Sequence, residues 1–241
     1  MWSICKKELG QFFSNLTGYI AIVLFLLVNG IFLFMLKDSS IFEFGYASLD
    51  QFFELAPWVL LFLVPAITMR SLSDEFKAGT FEILSTRPLS AWQIVLGKYF
   101  SILLVLLFVI LPTLLYVLTI KLLSAQGGID SGGITGSYTG LFMLGAVFAA
   151  IGLCCSSFTS NAVVAFLVSA FACLLLYFGF NAISKLSLLQ GGADYYTEML
   201  GIDFHYRSIS RGVIDSRDII YFISIIYLFL LITVKKIQAR K

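Results

Sequence analysis

The sequence predicts an all-α protein with six membrane-spanning helices. Of its 241 residues, 59% are hydrophobic and only 12% are charged, and the mean hydropathy is +0.96. An average soluble domain carries roughly twice that fraction of charge. Each apolar run is continuous and near the length of about 20 residues that a helix needs to cross a bilayer. Strands of a membrane barrel would instead alternate over about 10 residues. The composition therefore argues against a soluble enzyme.

The chain is predicted to form one transmembrane domain over residues 1–241. Residues 1–18 place Trp2, Cys5 and Leu9 on one face of a helix, which is typical of an amphipathic helix at a membrane interface. The alternative is a frayed lead-in to the first span. No small-residue cleavage site follows, so the first span is expected to stay uncleaved. The predicted spans are residues 19–36, 54–70, 98–120, 138–156, 162–181 and 219–234, with a cytoplasmic helix in 71–93 and an outer helical loop in 182–218.

Prolines and small residues mark particular spans. Pro57 and Pro65 in the second span and Pro112 in the third each remove a backbone donor, which favours kinks. The fourth span carries small residues that let helix backbones approach closely. We expect this packing seam to lie within the chain, with a subunit interface as the alternative. Its residues are Gly145, Ala149 and Gly152.

The orientation follows from the distribution of basic residues. With the N-terminus inside, the inner segments hold ten basic and four acidic residues, whereas the outer segments hold six basic and ten acidic residues. Lys and Arg are retained on the cytoplasmic side of membrane proteins. Both termini are therefore predicted to be cytoplasmic.

The most distinctive stretch lies between the second and third spans. Thr80 is a candidate N-cap for a short helix, and Glu82 in its first turn suits the helix dipole. Pro88 ends that helix and Ser90 caps the next one. The residues alone leave two alternatives open, a docking helix for a partner and an ordinary solvated helix.

The same stretch resembles the cytoplasmic loop of ABC-2 type permeases, the membrane subunits of one class of ATP-binding-cassette exporters. The matching residues are Glu75, Gly79, Thr80, Glu82, Leu84, Pro88, Gly97 and Lys98. The resemblance implies a type V exporter-like fold in which this loop is the coupling helix that contacts the ATPase. The coupling residues that it implies are Asp74, Glu75, Gly79, Thr80, Phe81, Glu82, Leu84 and Pro88.

The resemblance also implies the partners and the location. The chain is expected in the bacterial inner membrane as a permease subunit, with two copies of a cytoplasmic ABC ATPase and a second permease protomer, identical or related. An auxiliary membrane-anchored subunit is a further expected partner. Within the family, the chain is similar to the permeases of gliding-motility (Gld) transporters of Bacteroidetes. The alternative function is a non-transporting scaffold for a surface machine.

Several kinds of site have no signal in the sequence. It contains no GxxxxGK[ST] phosphate-binding motif, so ATP and magnesium are expected to be used by the partner and no cofactor by this chain. The four cysteines have no metal-site spacing. His205 is the only histidine in the sequence and is expected to be structural. The net charge of +2 predicts no nucleic-acid partner. No catalytic residues are proposed. No span carries an ionisable residue near its middle, so the energy for transport is expected from another subunit.

Overall fold

The computed structural model describes residues 1–35, 49–85, 89–123, 130–186, 192–212 and 215–240. All regular secondary structure in these ranges is helical, which confirms the predicted all-α fold. The helices are α1 (Trp2–Ser14), α2 (Leu16–Phe34), α3 (Asp50–Thr68), α4 (Arg70–Lys77), α5 (Thr80–Ser85), α6 (Ala91–Ile110), α7 (Leu114–Leu123), α8 (Ser131–Phe158), α9 (Ala162–Leu174), α10 (Phe180–Ser184), α11 (Ala193–Met199), α12 (Ile202–Ser210) and α13 (Ser216–Gln238).

The membrane-spanning helices number five or six within the described residues. Five segments are long and apolar enough to cross a bilayer alone. The α1 helix and residues 18–34 of α2 meet the same criteria together, although they are bent by 68° relative to each other. The second span begins at Asp50 and the fourth at Ser131, which is earlier than the predicted starts at residues 54 and 138. The fourth begins early because the Asp130 side chain accepts a hydrogen bond from the Gly133 N–H and caps the helix.

The prolines differ in their effects. Pro57 and Pro65 lie inside α3, which continues from Asp50 to Thr68 without interruption. Pro112 lies in a 3₁₀ turn, Leu111–Thr113, that separates α6 from α7. A missing donor is tolerated in a membrane helix where neighbouring groups satisfy the freed carbonyl. Pro112 therefore interrupts the α-helical geometry of the third span, which still runs as one span from Ala91 to Leu122.

The α8 helix lies at the centre of the bundle and packs against α3, α6, α9, α12 and α13. Gly145, Ala149 and Gly152 are part of this packing inside the chain. A Cβ atom on Gly145 would lie 2.6 Å from Leu106 Cδ2, and one on Gly152 would overlap the side chain of Thr68. Small residues allow this close approach of helix backbones.

The bundle has two distinct ends. At the termini end, α1 packs on the first turns of α6, and the Arg240 guanidinium lies 4.0 Å from the Phe76 ring centroid in α4. At the loop end, α12 packs on the first turns of α8 and α3, where the Tyr206 hydroxyl donates to the Phe53 carbonyl at 2.6 Å. Both chain termini therefore lie at the same end of the bundle as α4 and α5.

Candidate functional site

The turn between α4 and α5 projects from the termini end. Asp74, Lys77 and Gly79 are exposed, and the Ala78 N–H donates to the Asp74 carbonyl at 2.9 Å. Gly79 has a φ of +69° in open space, a backbone conformation that glycine adopts without strain. The turn is thus a short protrusion whose shape depends on one glycine.

The α5 helix holds this protrusion against the bundle. Phe81 is buried, and its ring meets the Phe76 ring edge-on with centroids 4.9 Å apart. Glu82, the next residue, is exposed. The predicted N-cap is wrong, because α5 begins at Thr80 itself, directly after Gly79, and the Thr80 hydroxyl points back to the Glu75 carbonyl at 3.5 Å. The helix thus starts from the positive-φ glycine.

Beneath the protrusion lies a buried ion cluster around Lys98, whose side chain is 1% exposed. Its ammonium lies 2.8 Å from Glu8 Oε1, 2.9 Å from Glu75 Oε1 and 2.7 Å from the Ser71 carbonyl oxygen. The ammonium donates hydrogen bonds to Glu8 and to the Ser71 carbonyl and forms an ion pair with Glu75. Burying a charge is costly unless it is paired and hydrogen-bonded in this way. The cluster thereby joins α1, α4 and α6.

Gly97 explains how α1 reaches this cluster. A Cβ atom at position 97 would lie 3.0 Å from both Ile4 Cβ and the Met1 carbonyl oxygen. The absent side chain allows α1 to lie against α6, where Glu8 meets Lys98. The apolar face of α1 is used in the same contact, since Phe13 packs against Phe108 with ring centroids 5.6 Å apart. The Gly97-Lys98 pair therefore has two roles, close approach and charge pairing.

The structure separates the residues for which we predicted a coupling role. Asp74, Gly79, Thr80 and Glu82 lie on the exposed protrusion, whereas Phe81 is buried. Glu75 points inward, contrary to our expectation that its carboxylate faces a partner, because Lys98 needs a buried counter-charge. Leu84 lies in α5, and Pro88 lies outside the described residues.

A family model described as ABC-2 family transporter protein matches residues 2–194, which is more than half of the chain. The chain belongs to the ABC-2 transporter family. Membership makes this ABC-2 protein a multi-pass membrane component of a transporter and implies a separate ABC ATPase as its partner. No curated protein matches the chain.

Sequence reasoning missed two members of the ion cluster in this ABC-2 protein. Glu8 lies in the amphipathic helix, 90 residues from Lys98 along the chain, and the Ser71 carbonyl carries no side-chain signal. One feature of the sequence could have indicated that the cluster exists. Lys98 is a single charge within the 20 mostly apolar residues of α6, and such a charge requires a partner.

A second buried pair lies at the loop end. His205 Nδ1 is 2.6 Å from Asp218 Oδ1, and His205 Nε2 is 2.9 Å from the Met199 carbonyl oxygen. The carbonyl can only accept, so Nε2 carries the hydrogen. The ring also stacks on Tyr221 at 3.8 Å between centroids. His205 therefore links α11, α12 and α13, and its role is structural.

Tyr206, the neighbour of His205, anchors α12 to α3. Burial and then the negative charge of Asp203 raise the pKa of the Tyr206 phenol well above its usual range. The phenol therefore stays neutral and donates to the Phe53 carbonyl. This bond fixes the distance between two elements that border a cleft at the loop end.

Proposed function

We propose that this chain is the permease subunit of an ATP-binding-cassette transporter that couples ATP hydrolysis by a separate cytoplasmic ATPase to export across the inner membrane. The α4–α5 protrusion is the proposed contact with the ATPase. The observation that carries the proposal is the position of this exposed protrusion directly above the Glu8–Lys98–Glu75 cluster.

The cluster supports a mechanical coupling. A force applied to α4 acts on Glu75, and through Lys98 it acts on α6 and α1 together. Removing Lys98 would take away the buried counter-charge of both Glu8 and Glu75, at a cost of about 3–5 kcal/mol. The three helices are therefore expected to move as one body when the ATPases close.

The charge distribution supports the proposed orientation. Lys235, Lys236 and Arg240 at the end of α13 lie at the same end of the bundle as the protrusion. The positive-inside rule assigns such a basic end to the cytoplasm, where the ATPase and its ATP are found. The loop end would then face the outside.

A second permease protomer is proposed on the faces of α3 and α9. Trp58 and Phe62 on α3 and Leu167 and Phe171 on α9 are exposed, and the two helices pack side by side. Glu54 continues the α3 stripe with a carboxylate, which hydrocarbon disfavours. A second protomer that covers the apolar faces and encloses water at this end would bury the exposed aromatic residues and keep the Glu54 carboxylate hydrated. Two ATPase copies, one for each protomer, and an auxiliary subunit complete the proposed assembly.

The link to gliding motility is also a proposal and rests on the sequence resemblance alone. The coupling of an ATPase to force transmission would use the same protrusion as export. A passive scaffold needs no cavity, whereas a cleft of about 830 Å³ opens at the loop end beside α3 and α12. This cleft favours export over the scaffold.

The decisive experiment compares two charge reversals in the purified permease–ATPase complex. We expect Glu82→Lys on the protrusion to lower ATPase turnover about tenfold or to release the ATPase, because a docking contact that loses about 1.4 kcal/mol weakens by that factor. Arg217→Glu, an exposed reversal at the loop end, is the matched control and should leave turnover unchanged. Wild-type turnover and retention of the ATPase in Glu82→Lys would refute the proposed contact.

A further inference from the structure

The cleft at the loop end is lined by charged and aromatic side chains from three elements. These are the first turns of α3, the α12 helix with the following residue Arg211, and a π-helical turn at Leu175–Gly179 that joins α9 to α10. The volume is about 830 Å³, within the range of small-molecule sites. A π-helical turn adds one residue to a helix and is common at functional sites. Here it contributes Tyr177 and Phe178 to the lining.

One wall of the cleft is acidic and aromatic. Glu54 and Trp58 lie one turn apart on α3, on the same face. Trp58 stacks on Phe178 with ring centroids 4.2 Å apart, yet it remains 46% exposed. The carboxylate of Glu54 forms no hydrogen bond or ion pair with the residues that the structure describes. An indole face beside a free carboxylate is suited to an ammonium group.

The other wall carries two arginines beside the buried Asp203, and Asp50 in the first turn of α3 lines the same cleft. Arg207 and Arg211 lie one turn apart at the end of α12. Asp203 holds Arg207 by two contacts, 3.0 Å at Nε and 2.6 Å at Nη2, and the Arg207 side chain is still 55% exposed. The Arg211 guanidinium has no partner among the side chains in the described ranges. The unpaired Arg211, with the exposed part of Arg207 beside it, is suited to a phosphate, which guanidinium groups bind through parallel N–H donors.

Glu54 on one wall and Arg211 on the other are unpaired charges of opposite sign, and no ion pair between Glu54 and either arginine joins the walls within the described part of the chain. A ligand with a single charge would satisfy only one wall. A ligand with a phosphate and an ammonium a few bonds apart would satisfy both. Because the cleft lies at the end of the spans, beside the exposed faces of α3 and α9 on which we propose the second protomer, an amphiphile would place its acyl chains in the seam between the two protomers.

We propose that this cleft binds a phosphate-linked ammonium headgroup, such as phosphoethanolamine, with the ammonium against Glu54 and Trp58 and the phosphate against Arg207 and Arg211. The proposed source is a zwitterionic phospholipid. That this lipid is transported rests on the export function proposed above, whereas its binding does not.

The test measures lipid binding to the purified full-length chain in detergent by native mass spectrometry, with phosphatidylethanolamine and phosphatidylglycerol of the same acyl composition. The second lipid keeps the phosphate and lacks the ammonium. We expect phosphatidylethanolamine to bind about tenfold more tightly, the effect of losing one charged contact. Equal affinities for the two lipids would overturn the proposal.

Two variants test the two walls of the cleft independently. Glu54→Gln should weaken phosphatidylethanolamine about tenfold and leave phosphatidylglycerol unchanged, whereas Arg211→Gln should weaken both lipids. Arg217→Gln, exposed outside the cleft, is the control and should change neither. All three residues are exposed, so monodisperse elution of each variant is expected. Unchanged selectivity in Glu54→Gln would refute the ammonium site.

A competition experiment identifies the source of the headgroup. Soluble phosphoethanolamine that displaces the lipid at millimolar concentration would indicate that the headgroup alone suffices, whereas no displacement would indicate that the acyl chains are required. Displacement supports the proposed headgroup site, whereas no displacement counts against recognition of the headgroup by the cleft. Neither measurement uses the ATPase, so a failure here leaves the Glu82→Lys experiment intact, and a failure there leaves the binding result intact.

Discussion

Replacing Lys98 tests the central interaction at the termini end. Lys98→Met keeps the length of the side chain and removes the ammonium, which leaves Glu8 and Glu75 facing each other with only the exposed Lys7 as a counter-charge. Breaking a buried ion pair by removing one partner costs about 3–5 kcal/mol. The two carboxylates keep 16% and 14% of their side-chain surface exposed, so water offsets part of this cost. We therefore expect a destabilisation near the lower limit, about 3 kcal/mol.

Thermal unfolding of the purified protein in detergent measures this loss. For a chain of about 150–250 residues, 1 kcal/mol shifts the Tm by about 2–4 °C, so Lys98→Met should melt about 6–12 °C below the wild type. Lys7→Met is the matched control. Lys7 lies 3.5 Å from the same Glu75 oxygen but is 61% exposed. Exposed ion pairs contribute about 0–1 kcal/mol, so its Tm should fall by at most about 4 °C.

A neutral triple variant distinguishes charge from packing. Lys98→Met combined with Glu8→Gln and Glu75→Gln removes all three charges and should recover most of the lost stability, because a buried ion pair is often replaceable by neutral groups. A triple variant as unstable as Lys98→Met alone would refute the charge argument. So would a Lys98→Met protein that melts within about 2 °C of the wild type.

Three further outcomes are expected. Gly152→Ala should destabilise the protein by about 1–3 kcal/mol through overpacking in α8, whereas Gly10→Ala, in open space on α1, should stabilise it slightly; thermal unfolding checks both. Tyr206→Phe should cost about 1 kcal/mol through the lost bond to the Phe53 carbonyl and lower the Tm by about 2–4 °C. A cysteine at Ala239, in a chain whose native cysteines are replaced by alanine, should react with a membrane-impermeant maleimide only after the cells are permeabilised.

Each of these outcomes has a clear contrary result. Equal stability of the two glycine variants would mean that the seam in α8 relaxes freely. An unchanged Tm in Tyr206→Phe would mean that water replaces the phenol at the Phe53 carbonyl. Labelling at position 239 in intact cells would reverse the proposed orientation and move the ATPase contact to the loop end.

Local features of this protein were predictable from sequence. Ser90 was expected to cap α6, and the structure confirms it with a capping box in which Gln93 Oε1 also accepts from the Ser90 N–H at 3.1 Å. The two partners are three residues apart, so the chemistry is contained in one turn. The 3₁₀ turn at Pro112 agrees with the expected local effect of proline, whereas Pro57 and Pro65, for which the same effect was expected, lie inside an uninterrupted α3.

Contacts between distant residues were not predictable. Glu75 was expected to face the ATPase, because the resemblance implied a coupling role for it. Its actual position depends on Lys98, which belongs to another helix, and on the close approach of α1 at Gly97. Likewise His205 was expected to be structural, but its partner Asp218 became identifiable only when α12 and α13 were folded against each other. Helical periodicity specifies faces, and it does not specify which faces meet.

The unequal burial of the spans has a consequence for how the protein changes shape. In α8, 78% of the apolar window is buried within the chain, whereas the window from Ala162 to Ser184 is only 22% buried. Close-packed interiors resist gradual deformation, so we expect α8 to keep its geometry during a transport cycle. More of the α9 span faces outward, although α9 also packs against α8 and α3. We therefore expect the α9 span to shift more readily than α8 in the proposed ATPase cycle.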